Sequence, residues 1–225
     1  VIQYELLTIE NGIATIHLEA VKIFQNVHLK GLDRSQGDTL IFKDTLISPA
    51  EIGVFATVGK AKVKVAKQPK VMIISTGNEL VGVSETPEEH QIRRSNVYTL
   101  VSLLERLNIK AETAHISDDK NLLLNKIASF LIDFDVLLFS GAVSKGKFDF
   151  IPDVLNELGV EKLFHTVKQR PGKPFWFGKK GSKTVFAFPG NPVSTFVSCL
   201  KYFEPWYYKS IGLNFENERR AILTE

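Results

Sequence analysis

The sequence predicts an α/β protein, in which a doubly wound, mostly parallel sheet follows a smaller mixed β/α segment. Continuous apolar runs at Val71–Ile74 and Val136–Phe139 are typical of strands that are buried on both faces. Between them, Asn96–Leu107 carries leucines at helical spacing. Strands and helices alternate in this way from residue 70 onward, and such alternation is typical of a parallel sheet covered by helices.

Composition and charge exclude several classes of protein. The 225 residues are 44% hydrophobic and 24% charged, as in ordinary globular proteins, and no apolar run approaches the ~20 residues of a membrane-spanning helix. The net charge of +3 is too small, and Lys and Arg are too scattered, to favour a nucleic-acid partner. The single cysteine, Cys199, fits a reducing compartment. We therefore expect a cytoplasmic protein with neither a membrane nor a nucleic-acid partner.

Residues 1–46 form a predicted β-rich segment. Ile13–Leu18 alternates apolar and other residues directly after a turn signal at Asn11–Gly12. Asp33 lies further on, in a loop that contains Gly31. The simplest interpretation of this residue is an acid that faces solvent in a turn. Because the chain begins at Val1 rather than at a methionine, we expect it to be a piece of a longer protein.

Residues 47–68 form a predicted linking segment with one helix and one strand. Ser48 and Glu51 have the spacing of a capping box, and Pro49 suits the first helical position. The helix is predicted to end at Gly59. Residues 61–66 then alternate as a short strand.

Residues 69–212 form the predicted α/β domain, and residues 213–225 are expected to begin a truncated C-terminal domain or a tail. After the first strand the patterns predict the following elements: helix 96–107, strand 110–116, helix 120–131, strand 136–139, helix 151–158, strand 163–167, a hairpin of strands 175–177 and 185–188 with its turn at 178–181, and helix 193–210, in which Pro205 favours a kink.

Five loops that follow the predicted strands carry the residue types of a site for an anion and a metal ion. In open α/β sheets, ligands bind beyond the carboxyl ends of the strands, where these loops lie. The loops are rich in Ser, Gly, Pro and charged residues and comprise residues 75–79, 117–119, 140–149, 170–174 and 189–194. Carboxylates at Glu79, Asp118 and Asp149 suit Mg²⁺. Arg170, Lys173 and the backbone amides suit a phosphate or a second oxyanion.

Each of these charged residues also fits a plain structural role. Glu79 is placed as an acid at a helix entry, whereas Asp118 and Asp149 are placed as helix caps. Arg170 and Lys173 fit solvated loop cations. Only their common position in the predicted fold favours a binding site.

The loop from Gly141 to Lys147 comes close to the phosphate-binding loop of many NTPases. It fits the pattern G-x-x-x-x-G-K, which continues with a Ser or Thr that binds Mg²⁺. Phe148 stands at this position and cannot bind a metal ion. The sequence therefore disfavours a nucleoside triphosphatase. An anion-binding loop before the helix at Ile151, or a simple turn made by the glycines, remains open.

Five motifs in these loops occur in a recognisable order. They are Ser75–Leu80, Ser140–Ser144, Asp149–Phe150, Pro171–Pro174 and Pro189–Ser194. Each motif is weak alone, but together, at matching intervals, they resemble the molybdopterin molybdenumtransferase family (MoeA type), whose relatives include the gephyrin E domain. Residues 25–33 and 47–53 also resemble the segments that precede this family's molybdopterin-binding domain, so the resemblance covers nearly the whole chain.

This resemblance implies a molybdopterin-binding domain of the MoaB/Mog-like type and a role in molybdenum cofactor biosynthesis. The implied reaction is the Mg²⁺-dependent insertion of molybdate into adenylylated molybdopterin, with release of AMP. Molybdate and the pterin nucleotide are then substrates, and Mg²⁺ is the cofactor. The resemblance further implies a homodimer, and it suggests contact with the upstream molybdopterin adenylyltransferase.

The family's functional residues match residues of this chain one by one. The resemblance implies catalytic roles for four acids, of which Glu79 and Asp149 would bind the metal ion; the four are Asp33, Glu79, Asp118 and Asp149. It also implies a substrate-binding set, which comprises Ser75, Thr76, Gly77, Ser140, Gly141, Ser144, Arg170, Pro171, Gly172, Lys173, Pro189, Gly190, Asn191 and Pro192.

The chain also departs from the family pattern. Arg94 stands where Asp is common, Ala142 where Gly is usual and Lys147 where an acid is common; Arg170 replaces the usual Lys. Two alternatives to the transferase therefore stay open. One is a non-catalytic carrier or scaffold module that binds molybdopterin. The other is a nucleotide pyrophosphatase of the competence-damage-inducible type, which the motifs in the first 68 residues disfavour.

Overall fold

The computed structural model describes residues 1–141, 143 and 150–213, which fall into two compact units: Val1–Ala61, and the chain from Lys62 onward. The segment boundaries that the sequence suggests at residues 46 and 68 stay predictions. No helix in the described part of the chain combines the length and apolarity needed to cross a membrane.

The first unit contains one hairpin and one helix. Strands β1 (Leu7–Glu10) and β2 (Ile13–Ile16) pair antiparallel across the predicted Asn11–Gly12 turn. Helix α1 (Pro49–Thr57) begins with the predicted capping box: the Ser48 hydroxyl accepts from the Ala50 N–H, and the Glu51 carboxylate accepts from the Ser48 N–H.

The strand predicted at residues 61–66 is wrong, because none of these described residues belongs to a strand. Alternation of apolar and polar residues predicts a strand only where a neighbouring strand supplies hydrogen bonds, and these residues have no such partner. Their backbone instead leads directly into the sheet of the second unit.

The second unit is built around one six-stranded sheet. Its elements in chain order are β3 (Val71–Thr76), β4 (Leu80–Val81), β5 (Ile92–Arg93), α2 (Ser95–Glu105), β6 (Ala111–Ile116), α3 (Lys120–Asp133), β7 (Val136–Ser140), α4 (Ile151–Glu157), β8 (Glu161–His165), β9 (Trp176–Lys180), β10 (Lys183–Phe188), α5 (Pro192–Ser198), a π-helical turn (Cys199–Phe203) and α6 (Glu204–Ser210).

The strand order β6-β3-β7-β10-β9-β8 confirms the predicted doubly wound, mostly parallel sheet. The first four strands are parallel, and β9 alone runs against its neighbours. Alternate residues of β3 face opposite sides: Met72 and Ile74 pack with α3 and α4, whereas Val71 and Ile73 pack with α2, α6 and the π-helical turn. Strands β4 and β5 pair separately, in parallel.

Three predicted elements differ from the structure in detail. Strand β8 begins two residues earlier than its apolar run, and Gly178 lies within β9 rather than in the hairpin turn. The predicted helix 193–210 is divided by the π-helical turn, which ends just before Pro205. Pro205 has no N–H to continue the ladder, and a wider turn accommodates this loss.

Cys199 is a structural thiol, as its apolar surroundings in the sequence suggest. Its side chain is 2% exposed, and burial raises the pKa of the thiol to about 12. It is therefore protonated at neutral pH, a state in which a thiol is a poor nucleophile.

Asp135 precedes β7 and bonds to Lys70, the residue that precedes β3. Its carboxylate accepts from the Lys70 N–H at 3.0 Å, and the Lys183 ammonium lies 3.5 Å away. The hydrogen bond from Lys70 lowers the pKa of this carboxyl group. A lowered pKa stabilises the fold above the ordinary Asp pKa of about 4, and this contribution is lost as the pH falls through the folded-state pKa.

We therefore expect Asp135→Asn to lower the free energy of unfolding at pH 7 and to lower it progressively less as the pH falls below about 4. Urea unfolding between pH 7 and pH 3 measures this difference. Asp133→Asn, which removes the same charge at the exposed end of α3, is the control and should not reproduce the pH dependence. A destabilisation by Asp135→Asn that is constant with pH would contradict the assignment.

Candidate functional site

A cavity of about 280 Å³ opens beyond the carboxyl ends of β3 and β7. This is the position at which ligands bind in open α/β sheets. Seven of the predicted site residues line it, together with residues of β4, β5 and the start of α2; the lining comprises Ser75, Thr76, Glu79, Leu80, Ile92, Arg93, Arg94, Ser95, Asn96, Val97, Ser140, Gly141, Gly190 and Pro192.

Two glycines bring backbone close to backbone at the cavity. Gly141 follows β7 with a φ of +92°, a conformation that favours glycine, and its N–H donates to the Phe188 carbonyl at 3.2 Å. A Cβ on Gly190 would lie 3.7 Å from the Gly141 Cα. The loops after β7 and β10 therefore meet through main chain, and a ligand at this point meets backbone atoms rather than side chains.

Ser75 and His115 form a polar contact at the end of β3. The Ser75 hydroxyl is buried and lies 3.0 Å from Nδ1 of His115, which occupies the paired position on β6. Burial, followed by the positive charge of Arg94, lowers the pKa of His115, although the Ser75 contact and the charges of Glu79 and Asp118 oppose this shift. The imidazole is therefore neutral at pH 7, between charges of both signs.

Glu79 rests against the backbone of Gly77. Gly77 has a φ of +128°, and a Cβ there would lie 2.6 Å from Oε1 of Glu79. Any side chain at residue 77 would thus displace the carboxylate from its present place. None of the ion pairs within the described residues includes Glu79, so its charge remains available to a ligand.

Asn96 joins the start of α2 to the loop after β10, and sequence reasoning missed it. Its Nδ2 donates to the Gly190 carbonyl at 2.8 Å, while its Oδ1 is buried without a hydrogen-bond partner among the described residues. Ile92 and Arg93 of β5 were also missed as lining residues. Strands β4 and β5 have two residues each, too few for a periodic pattern, so no sequence signal places them beside the cavity.

A family model, curated proteins and a solved structure all match this chain. A family model described as "Probable molybdopterin binding domain" matches residues 72–207. A Synechocystis protein named molybdopterin molybdenumtransferase is 39% identical over 90% of this chain and 53% of its own length, and a Staphylococcus aureus protein of that name is 33% identical over 80% and 43%. The crystal structure of a molybdopterin biosynthesis MoeA protein from Pyrococcus horikosii matches with a TM-score of 0.78 and 30% identity, over 96% of this chain and 54% of that one.

The chain belongs to the molybdopterin molybdenumtransferase family. The resemblance carried by the five loop motifs is thereby confirmed. The chain spans about half the length of the curated relatives that it matches.

The structure places the acids that the resemblance predicts to be catalytic in three different environments. Glu79 lines the cavity, whereas Asp118 lies beside it and exchanges two hydrogen bonds with Asn78, at 3.2 and 3.4 Å. Asp118 does not cap α3, because Asp119 does so by accepting from the Leu122 N–H. Asp33 belongs to the first unit, where its Oδ2 lies 3.2 Å from Nε2 of His28. Asp149 and Ser144, two further predicted site residues, lie outside the described residues.

The cavity contains a carboxylate, the type of protein ligand that Mg²⁺ prefers. The described residues contain no group of three or more side chains placed to hold a metal ion. Mg²⁺, however, commonly binds one or two carboxylates and takes its other ligands from water and substrate phosphates. Glu79, which lines the cavity and forms no ion pair with another described residue, fits that pattern.

The other predicted substrate-binding residues differ in their relation to the cavity. Pro189 accepts through its carbonyl from the Thr195 hydroxyl at 2.5 Å, and Asn191 caps α5 by accepting from the Ser194 N–H at 3.0 Å. The basic loop Arg170–Lys173 follows β8 at the same edge of the sheet, but its residues do not line the cavity.

The basic loop is held to the π-helical turn by a relay of two hydrogen bonds. The Tyr202 hydroxyl donates to Oε1 of Gln169 at 2.7 Å, and Nε2 of Gln169 donates to the Pro171 carbonyl at 2.8 Å. Gly172, with a φ of +102°, lies against Ser198, whose hydroxyl would be 3.0 Å from an added Cβ. The turn therefore positions the loop that carries Arg170 and Lys173.

We expect Tyr202→Phe to lower the free energy of unfolding by about 1 kcal/mol, because Gln169 loses one hydrogen bond. Amide hydrogen exchange should accelerate in residues 167–173 and stay unchanged in β3. Tyr98→Phe, which removes the same hydroxyl from an exposed position on α2, is the control and should change neither quantity. Unchanged exchange in the basic loop of Tyr202→Phe would show that the relay does not hold the loop.

Proposed function

We propose that this chain carries the substrate cavity of a transferase of molybdenum cofactor biosynthesis, which inserts molybdate into adenylylated molybdopterin and releases AMP. One observation carries this proposal: the cavity gathers three of the family motifs, at Ser75–Leu80, Ser140–Gly141 and Gly190–Pro192, in one place. Successive motifs are separated by about 50 to 60 residues in sequence, and the sheet brings them together.

The residues of the cavity suit a ligand with a phosphate group. The buried Ser75 and Ser140 hydroxyls lie at the strand ends, and Gly141 and Gly190 present backbone without side chains. Such groups bind and orient phosphate oxygens by hydrogen bonding. The neutral His115 behind Ser75 adds no charge at neutral pH, so Ser75 is held in place without an ion pair.

Mg²⁺ belongs to this proposal as the cofactor. Glu79 would hold it, and Asp149, the second acid for which the motif resemblance implies a metal role, lies outside the described residues. When bound, Mg²⁺ supplies charge neutralisation at the phosphate oxygens of the substrate. Because Gly77 has no side chain, the Glu79 carboxylate can lie against its backbone. The hydrogen bonds between Asp118 and Asn78 connect the loop that carries Gly77 and Glu79 to the loop after β6.

Homodimer formation is also part of the proposal. No described side chain of the first unit is buried, although α1 is largely apolar and leaves Ile52 56% exposed. Apolar surface of this extent is typical of a region that another surface covers. Cytoplasmic localisation, and contact with the upstream molybdopterin adenylyltransferase that would deliver the pterin nucleotide, complete the proposal.

A non-catalytic carrier or scaffold module is the second candidate, and Arg94 favours it. This cation lines the cavity at a position where the family commonly has an acid. The nucleotide pyrophosphatase is less well supported, because the match to the MoeA structure covers 96% of the chain and so includes the first unit.

Release of AMP from adenylylated molybdopterin tests the proposed function. With the native full-length protein, we expect release to require both molybdate and Mg²⁺. Glu79→Gln should slow it at least about 100-fold, because metal ions contribute several kcal/mol to such reactions. Glu112→Gln, which removes an exposed acid of β6, is the control and should retain the rate.

Two outcomes would contradict the transferase. Tight binding of the pterin nucleotide without release of AMP would identify a carrier or scaffold module. An absence of binding would refute the pterin-nucleotide site altogether.

A further inference from the structure

We propose that Arg94 makes this cavity a binding site for a tetrahedral oxyanion of the molybdate or phosphate type. The inference deepens the proposed function and rests on it only for the identity of the natural ligand. Arg94 stands at the N-cap position of α2, where the chain leaves β5 and enters the helix, and its side chain lines the cavity.

The guanidinium group of Arg94 is held by one hydrogen bond, and its other N–H groups have no partner among the described residues. Its Nε donates to the Val81 carbonyl at 3.4 Å, and Nη2 lies against Gly82, 3.5 Å from where a Cβ would stand. An arginine side chain has five N–H groups, and within the described residues only this one is paired. The remaining donors form the planar fork that binds two oxygens of an oxyanion at once.

Among the described residues, the positive charge of Arg94 also lacks a counterion. None of the ion pairs within the described residues includes it. Glu85 approaches Gly82 as Arg94 does, yet the two form no ion pair, and Glu79 lines the same cavity without pairing with Arg94. An arginine that lines a cavity without a partner carbonyl or carboxylate for its terminal nitrogens is well placed to bind an anionic ligand.

The start of α2 adds donors of the same kind. The helix has no side-chain cap, so its first N–H groups are not satisfied by the residue that precedes them. These N–H groups and the helix dipole favour an anion next to Ser95. They reinforce the charge of Arg94 rather than replace it.

Asn96 fixes the loop after β10 beside this site. Its Nδ2 donates to the Gly190 carbonyl at 2.8 Å, and both residues line the cavity. The start of α2 and the loop that carries Gly190 are therefore held together next to Arg94. A cavity of about 280 Å³ is large enough for an oxyanion.

Calorimetric titration with two separate anions tests this site. Sodium molybdate and AMP are titrated into the chain without Mg²⁺, so that binding is measured without turnover. We expect at least one of them to bind, and Arg94→Gln to weaken that binding at least about tenfold, because a charge-assisted hydrogen bond is lost. Arg94→Lys should bind with intermediate affinity, since it keeps the charge but not the fork.

Arg106→Gln is the matched control, because it removes an arginine at the opposite end of α2, away from this cavity. It should bind as the unmodified chain does. Circular dichroism establishes that each variant is folded, and Arg94→Lys provides the test if Arg94→Gln is not. Binding of molybdate alone identifies the metal oxyanion as the ligand, and binding of AMP alone identifies the nucleotide phosphate.

Two results would overturn the site: binding of neither anion by the unmodified chain at millimolar concentration, or equal affinity in Arg94→Gln and the unmodified chain. Failure of the proposed function is distinguishable from both. In that case AMP release from the pterin nucleotide is absent, while the calorimetric effect of Arg94→Gln on anion binding persists.

Discussion

The parallel pairing of β3, β7 and β10 is the constraint on which the candidate site depends. Ser140 pairs with Ser75 on one side and with Phe188 on the other, so the three strands end in one row across the sheet. The loops after these three strands therefore start at the same edge of the sheet. A shift in the register of one strand would move its motif away from the other two. The contact of Gly141 with Gly190 then brings two of these loops together through backbone atoms alone.

The sequence predicts the fold well where burial dominates. The runs at Val71–Ile74 and Val136–Phe139 are buried on both faces, and the removal of so many apolar side chains from water favours a central position in the sheet. The failure at residues 61–66 has the opposite cause. Apolar and polar residues alternate there, but no neighbouring strand supplies the hydrogen bonds that a strand needs.

The candidate site was predictable in part. The rule that ligands bind beyond the carboxyl ends of the strands locates Ser75, Glu79 and Ser140 correctly at one edge. The rule does not distinguish loops that share a cavity from loops that share only an edge, which is why Arg170–Lys173 was grouped with the others. Asn96 was missed because its importance lies in one hydrogen bond across 94 residues, which no local pattern encodes.

A crystal structure of the protein with adenylylated molybdopterin, determined without molybdate so that the nucleotide persists, would show directly whether the cavity binds the substrate. We expect a phosphate of the ligand in the cavity, within hydrogen-bond distance of the Ser75 hydroxyl or the Arg94 guanidinium. A ligand that binds only at the basic loop Arg170–Lys173, and leaves the cavity between β3, β7 and α2 empty, would refute the cavity as the substrate site.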